Sequence, residues 1–513
     1  MASAIVHPVV CAQCGKREAA VFIRRHADAR HSEGESPRSG DLALCESCAR
    51  ARGFVVGKGR IELNIGEILD SALDGSRLSD VSGSQPARCP SCGLSLHDVR
   101  RDGRLGCSAC VEAFRPFLRK VLDDRLPSSQ LMVRVPGPGA ERDREAPKAG
   151  SPRNFPFDLP AFAAPSPASE AGADSDVVLR STAVVSRNFA SLPFVGGADA
   201  LPSRSLFLEL APSLPGLTLR ELGSLPSSSR RSLSERSFVS RSYAADPEAP
   251  LAASETDPVY LLSDDGEHLR FVSRLRGFDG GGALALAESY AADFGSRLPS
   301  GLEFARDGEF GWICSHLEEC GSAEYVGATL HLPALVMTGL HDRFFKTIMS
   351  RGAIVRGLYS SEDEISAGSV FDIIVTGEGA RISPRDSQLE LLETFVSAAV
   401  QAERSARSSL RSGGLEAVRD AAGRAFGILR YALRVESGEG LQYLSRLRLA
   451  ALLGFLEGVD ADDLGGLFEE LGPGSLARGA GLDSISERGH EDSLRARRLR
   501  AVFADAAIGD GGY

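Results

Sequence analysis

This 513-residue chain has no run of about 18 uninterrupted apolar residues, and its opening, MASAIVHPVVC, has neither a charged leader nor an apolar stretch long enough for export. A membrane span is disfavoured, and the chain is expected in the cytoplasm. Positive charge is in deficit: 58 Lys and Arg face 69 Asp and Glu, for a net charge of -11. Affinity for a nucleic-acid backbone rests on uncompensated Lys and Arg, so a protein whose main partner is DNA or RNA is disfavoured as well. Beyond residue 110 cysteine is scarce, with Cys314 and Cys320 alone. Hydrophobic residues make up 43% of the chain, enough for the cores of two to four domains.

The other eight cysteines stand in four C-x-x-C pairs, Cys11/Cys14, Cys45/Cys48, Cys89/Cys92 and Cys107/Cys110. In a cytosolic chain such pairs read as metal ligands before disulfides, because one tight turn brings two thiolates to a single ion and tetrahedral zinc takes four. Four pairs imply two structural Zn2+ sites. The first set is split by a polar, turn-rich loop, while the second is compact, with 14 residues between its pairs. Over residues 1–110, 15 Lys and Arg meet 13 Asp and Glu, and eight ligated thiolates tip that balance negative. A zinc-ribbon nucleic-acid adaptor is therefore the third-ranked reading.

Between the two sets, Ile61, Ile65, Ile68, Leu69 and Ala72 recur at helical spacing, and a short helix is expected over Val111 to Leu122. Residues 126–175 are rich in Pro, Ser, Gly and Ala and read as a flexible linker. Residues 224–245, dense in Ser and Arg, read as helix and loop with a solvated face ahead of a phosphate or acidic-partner contact. VYLL, SDDGE and HLRFVSRL form a strand hairpin, followed by a helix over Ala283 to Phe294, a strand at GWICS, a helical stretch from Pro333 to Met349, and strands at AIVRGLY and VFDIIV. From Pro384 on, the pattern is helical. The fold class is α+β: a zinc-ribbon module and linker, an antiparallel sheet with helices, then a helical domain. The boundaries expected are 1–56 and 57–125 for the two ribbons, 126–175 for the linker, 176–382 for the sheet domain and 383–513 for the helices.

Five strings carry a resemblance: EHLRF at Glu267 to Phe271, HLPALVM at His331 to Met337, RGLY at Arg356 to Tyr359, ERSARSSLR at Glu403 to Arg411 and FGILRYALRVES at Phe426 to Ser437. Together they resemble the bacterial protein arginine kinases, relatives of the phosphagen kinases, over about residues 176–505. CPSCG and GRLGCSACVEAF, within residues 8–118, resemble the zinc-binding activator protein that works with such kinases. The resemblance implies a guanidino-kinase-like sheet domain, ATP with Mg2+ if the protein is active, and as partners a Clp-type ATPase or an authentic arginine kinase. Homo-oligomers remain open.

The resemblance also implies a site. Arg187, Arg270 and Arg356 sit where arginines bind the nucleotide phosphates, each offering five rigid donors. Asp265, Glu267 and Glu362 are the carboxylates nearest the positions that engage the acceptor guanidinium. Three other phosphate-binding arginines fall at Thr182, Val184 and Tyr325, the acceptor carboxylate at Gly266, the mobile-loop Gly-Glu at Ser360 and Ser361, and the reactive cysteine near His316. A phosphoarginine-reading motif falls at Glu491 to Ala496, where a leading carboxylate repels a phosphoryl group. With so few positive side chains around the nucleotide, and with carboxylates out of register, in-line transfer is not sustained. The reading is a regulatory or scaffolding pseudokinase fused to a zinc module in stress-linked proteolysis. An active kinase with an altered site is the alternative.

Overall fold

The structure is a computed structural model that describes residues 21–23, 42–44, 54–57, 60–63, 88–123, 174–194, 201–359, 366–377, 388–483 and 488–509. The chain divides into two units, residues 1–89 with 93–104, and residues 90–92 with 105–513. Cys11, Cys14, Cys45, Cys48, Glu362 and the stretch read as a linker up to residue 173 lie outside the described residues.

In the first unit, Val21–Ile23 pairs antiparallel with Leu42–Leu44, and Phe54–Gly57 with Arg60–Leu63. The second pairing puts Ile61 in a strand, which corrects the start of the helix expected there; Ile65, Ile68, Leu69 and Ala72 lie outside the described residues. The run FVV, aromatic and β-branched, gives RIEL a strand partner, and a short apolar run does not by itself separate strand from helix. Leu96–Asp102 is a helix whose first turn is capped by Ser95, with Oγ accepting from the Asp98 amide.

The second unit is built on an eight-stranded antiparallel sheet. Its strands are β1 (Val178–Arg187), β2 (Leu217–Glu221), β3 (Pro250–Ser254), β4 (Val259–Ser263), β5 (Leu269–Arg276), β6 (Glu324–His331), β7 (Ile354–Gly357) and β8 (Val370–Thr376), in the order β7-β8-β6-β1-β5-β4-β3-β2. Alternation sorts each strand onto two faces. Ala183, Val185, Val326, Ala328, Phe271 and Ile373 point to one face, against the helices Gly280–Ser296 and Gln388–Gly413. The other face carries Arg180, Thr182, Val184, Arg270, Arg274, Tyr325, Arg356 and Asp372, as the register pairs Thr182 with Arg274, Ser186 with Arg270, Tyr325 with Val184 and Arg356 with Asp372.

The Ser- and Arg-rich stretch covers part of this second face. Ser227–Glu235 and Arg241–Ala245 are helices, and Leu233, Phe238, Val239 and Tyr243 pack on Val184, Tyr260 and Val272. Ser228, Ser229, Ser232 and Arg236 are buried, where a solvated face was expected. Small side chains are the reason: helix Pro473–Gly479 lies so close that a Cβ on Gly474 would come within 2.4 Å of the Ser232 amide nitrogen.

Two of the quoted strings meet at one helix end. Pro333 opens the helix Pro333–Met337, and the buried Glu403 carboxylate accepts from the next two amides, Ala334 (3.1 Å) and Leu335 (2.9 Å), while Arg407 donates to it (2.9 Å). Nearby, fully buried Arg448 donates to the Ser175, Asp176 and Ala461 carbonyls and to His331, whose other ring nitrogen meets Ser445. These polar contacts tie the helical region to the sheet, since each group lost from water regains a partner.

Candidate functional site

The β4–β5 turn places the first candidates. Asp264 (φ 63°) and Gly266 (φ 89°) both take left-handed backbone there. A Cβ on Gly266 would lie 3.0 Å from Nη2 of Arg270, so the guanidinium occupies the space a side chain at 266 would need. Arg270 is tied to Glu319 (3.4 Å). Asp265 is half-buried and accepts from the Ser240 amide (3.4 Å).

Glu267 is fully buried and its oxygens are taken. Asn188 Nδ2 donates to it (2.5 Å), as do the Ser315 amide (2.8 Å) and hydroxyl (2.6 Å), and the His316 amide and Nδ1 both stand at 3.3 Å. Burial raises a carboxyl pKa, yet these donors outweigh it and hold Glu267 below its ordinary value. The group is an ionised staple between the hairpin and the loop 313–316. On that loop burial pushes the Cys314 thiol well up, away from the thiolate form.

The three candidate arginines do not converge. Arg270 and Arg356 share a face, but Arg356 is exposed at the edge strand, opposite Asp372. Arg187 lies on the opposite face from Arg270, because it pairs with Leu269 while Ser186 pairs with Arg270. Its guanidinium stacks on Trp312 (4.2 Å to the ring centre), lies 3.8 Å from Glu324 and donates to the Ser186 carbonyl. Burial pushes Glu324 up to about 7, with Arg187 opposing and Glu288 assisting. Between the unfolded glutamate value of about 4.3 and that folded value, the folded chain keeps a proton the unfolded chain has lost. This contribution is therefore complete at pH 4 and falls away as pH rises to 7, by up to about 3 kcal/mol. Denaturant midpoints at pH 5 and pH 8 should differ less in Glu324→Gln than in wild type. Equal differences would mean that Arg187 keeps Glu324 ionised.

Sequence reading missed a second set of arginines on the face that carries Arg270. Arg180, Arg236 and Arg274 converge on one carboxylate, Glu469, from the stretch after helix Ala461–Leu467. Arg236 donates Nε and Nη2 to Oε2 (both 2.9 Å), and Arg274 Nη2 (3.2 Å) and Arg180 Nη1 share Oε1. Positive charge on this face thus exceeds what the motif positions supply: Arg180 lies two residues from Thr182 along β1, and Arg274 lies opposite Thr182 on β5. Alternation along LRSTAVV and HLRFVSRLR was the available signal for Arg180 and Arg274, and the basic character of residues 224–245 was the signal for Arg236; Glu469 had none.

The second cysteine set assembles. Cys92 and Cys110 sulfurs are 3.4 Å apart and those of Cys107 and Cys110 3.9 Å, and with Cys89 the four sulfurs all lie within 4.8 Å of one another. Four thiol sulfurs and no hard oxygen fit a structural zinc site. Around it, the Leu105 amide donates to the Ser315 carbonyl (2.7 Å), the Phe194 amide to the Gly106 carbonyl (2.8 Å) and the Ser108 hydroxyl to the Ala190 carbonyl (2.6 Å). The helix Arg115–Asp123, expected from the sequence, adds Arg115 to Asp307 (2.7 Å) and Glu309 (2.8 Å), and Arg119 to Glu309 (2.6 Å). No helix of the described residues is long and apolar enough to cross a membrane.

Three family models match the chain: the ATP:guanido phosphotransferase C-terminal catalytic domain over residues 209–377, the protein-arginine kinase McsB C-terminal domain over 415–510 and the McsA central zinc-finger domain over 87–130. A protein-arginine kinase of Exiguobacterium sp. is 30% identical over 273 residues, covering 52% of this chain and 76% of that protein. The protein-arginine kinase of Halalkalibacterium halodurans is 28% identical over 338 residues, covering 64% and 92%. Among solved structures, a lombricine kinase aligns with a TM-score of 0.44 at 15% identity, over 64% of this chain and 89% of that one.

Proposed function

The chain belongs to the protein-arginine kinase family, and we propose that within it this protein is a catalytically silent member, a regulator or scaffold that carries its own zinc ribbon and serves Clp-linked stress proteolysis in the cytoplasm. The observation that carries the reading is at the acceptor position. Gly266 supplies no carboxylate, the Arg270 guanidinium fills the adjoining space, and Glu267 is buried with its oxygens taken by Asn188, Ser315 and His316. A guanidinium acceptor needs an unspent carboxylate to orient it and take its proton. On the face that carries Arg270, the folded chain has Arg180, Arg236 and Arg274 engaged by Glu469, and Arg187 points away.

One observation favours a working kinase: those same three arginines restore cationic charge near the lost positions. The two readings separate directly. Purified protein with Mg-ATP and an arginine-rich substrate is expected to yield no acid-labile phosphoarginine above a no-enzyme control. Its appearance would set the silent reading aside. The scaffold role is supported by the contacts of residues 105–119 with loops 190–194 and 307–315 of the same unit. An authentic arginine kinase and a Clp-type ATPase are the partners to be tested.

A further inference from the structure

We propose that Arg180, Arg236 and Arg274 form a binding site for a multiply charged phosphate oxyanion, which the Glu469 carboxylate fills in the folded chain and vacates when the oxyanion arrives. The inference rests on the reading above in one respect, that this face no longer runs a transfer reaction. It uses arginines at none of the positions that the family resemblance singles out.

Three cations meet one anion. The side chains of Arg274, Arg236 and Arg180 are 7%, 9% and 13% exposed, so water does little to screen them from one another, whereas Glu469, at 21%, is the most exposed member of the group. Burial and the neighbouring guanidinium groups press Arg274 down to about 9, while Arg236 is pushed down to about 10 by burial, Arg478 and Arg180. The other carboxylate whose field reaches Arg274, Asp372, faces Arg356 across the strands and accepts the Thr329 hydroxyl. Glu470, whose field reaches Arg236, is itself held by Arg498 (2.6 Å), so the one carboxylate at the centre leaves about two positive charges without a matching anion.

Shape agrees with charge. Arg274 and Arg236 stack on Phe238, at 4.0 and 4.9 Å from its ring centre, which fixes the planes of both forks. One fork from Arg236 and single donors from Arg274, whose Nη1 is held by the Arg236 carbonyl (3.0 Å), and from Arg180 meet at one point and suit a tetrahedral phosphoryl group, whose three acceptor oxygens replace two carboxylate oxygens. Glu469 is placed to leave. It follows Phe468, which packs on His331 (5.2 Å), and precedes helix Pro473–Gly479, which lies on Ser227–Glu235, so a change at 469 is felt where the helical region meets the sheet.

The test is titration of the full chain with inorganic pyrophosphate by calorimetry and thermal shift at constant ionic strength. Glu469→Gln keeps the shape of the plug and removes its charge. It is expected to bind at least ten-fold more tightly than wild type, and Arg274→Met in that background to abolish the gain. Folded Glu469→Gln that binds no better than wild type, or binding that Arg274→Met leaves intact, would overturn the site. If Glu469→Gln fails to fold, wild type against Arg274→Met decides: stabilisation of wild type alone supports the site, and equal or absent stabilisation in both refutes it. A parallel titration with a non-hydrolysable nucleoside triphosphate identifies the source, since tighter binding than pyrophosphate assigns a nucleotide and equal binding a free oxyanion. Phosphoarginine formation would refute the silent reading without touching this result.

Discussion

Glu267→Ala is expected to lower unfolding stability by about 3–5 kcal/mol, the scale for removing one partner from a buried ionic network. The carboxylate is 0% exposed, and its loss strands the Ser315 amide and leaves the Asn188 amide and the Ser315 hydroxyl only their weaker partners, the Ile313 (3.3 Å) and Gly266 (3.0 Å) carbonyls, while partly exposed His316 turns to water. Each stranded donor costs its own desolvation, about 1–3 kcal/mol, partly offset as the loop relaxes. Glu267→Gln should cost less, because one oxygen remains an acceptor while the new NH2 faces Ser315 or Asn188. Denaturant unfolding of both variants checks the order. A catalytic base would behave in the opposite way, since its removal typically leaves the fold intact. Arg356→Ala, at an exposed strand edge, is the contrasting control and should change stability by less than about 0.5 kcal/mol. If Glu267→Ala keeps wild-type stability, the staple assignment fails and the silent reading loses its main support.

The hairpin was legible because three signals agree: VYLL and HLRFVSRL alternate, and the turn between them is polar with a glycine. The stretch from Pro333 to Met349 was legible as helix but not as two helices, Pro333–Met337 and His341–Met349. GWICS contributes only Gly311–Trp312 as strand, paired with Arg306–Asp307. The Ser- and Arg-rich stretch was misjudged because its composition is polar, whereas burial there depends on helix Pro473–Gly479, more than two hundred residues away, lying against small side chains. The candidate site shows the same limit. Motif register located Arg270 and Arg356 on one face, but register carries no information on Glu469, and only tertiary packing brings that carboxylate to Arg180, Arg236 and Arg274. Counting arginines at expected positions measured the wrong quantity, since charge on a sheet face can move along a strand by two residues and remain on that face.

Stripping the metal from the second cysteine set is expected to melt residues 88–123 and to loosen two loops of the sheet domain with them. Among the described residues the part of this ribbon from 105 on buries few apolar side chains, Leu105, Val111, Phe114, Phe117 and Leu118, and small modules of this kind draw much of their folding free energy from the ion. Cys107 and Cys110 flank the turn that carries Ser108, whose hydroxyl holds the Ala190 carbonyl, while Leu105 and Gly106 hold Ser315 and Phe194. Ser315 in turn donates to Glu267, so the chain of contacts runs from the thiolates to the hairpin in three steps. Chelation should raise amide exchange in 105–119, in 190–194 and in 313–316, with little change in the distant helices Leu415–Tyr431 and Ser437–Leu452. Cys107→Ser should reproduce the pattern and lower the zinc content by one ion per chain. Exchange in 313–316 that is unchanged after complete removal of zinc would show that the loop stands without its brace, because Asn188 and Glu267 then suffice to hold it.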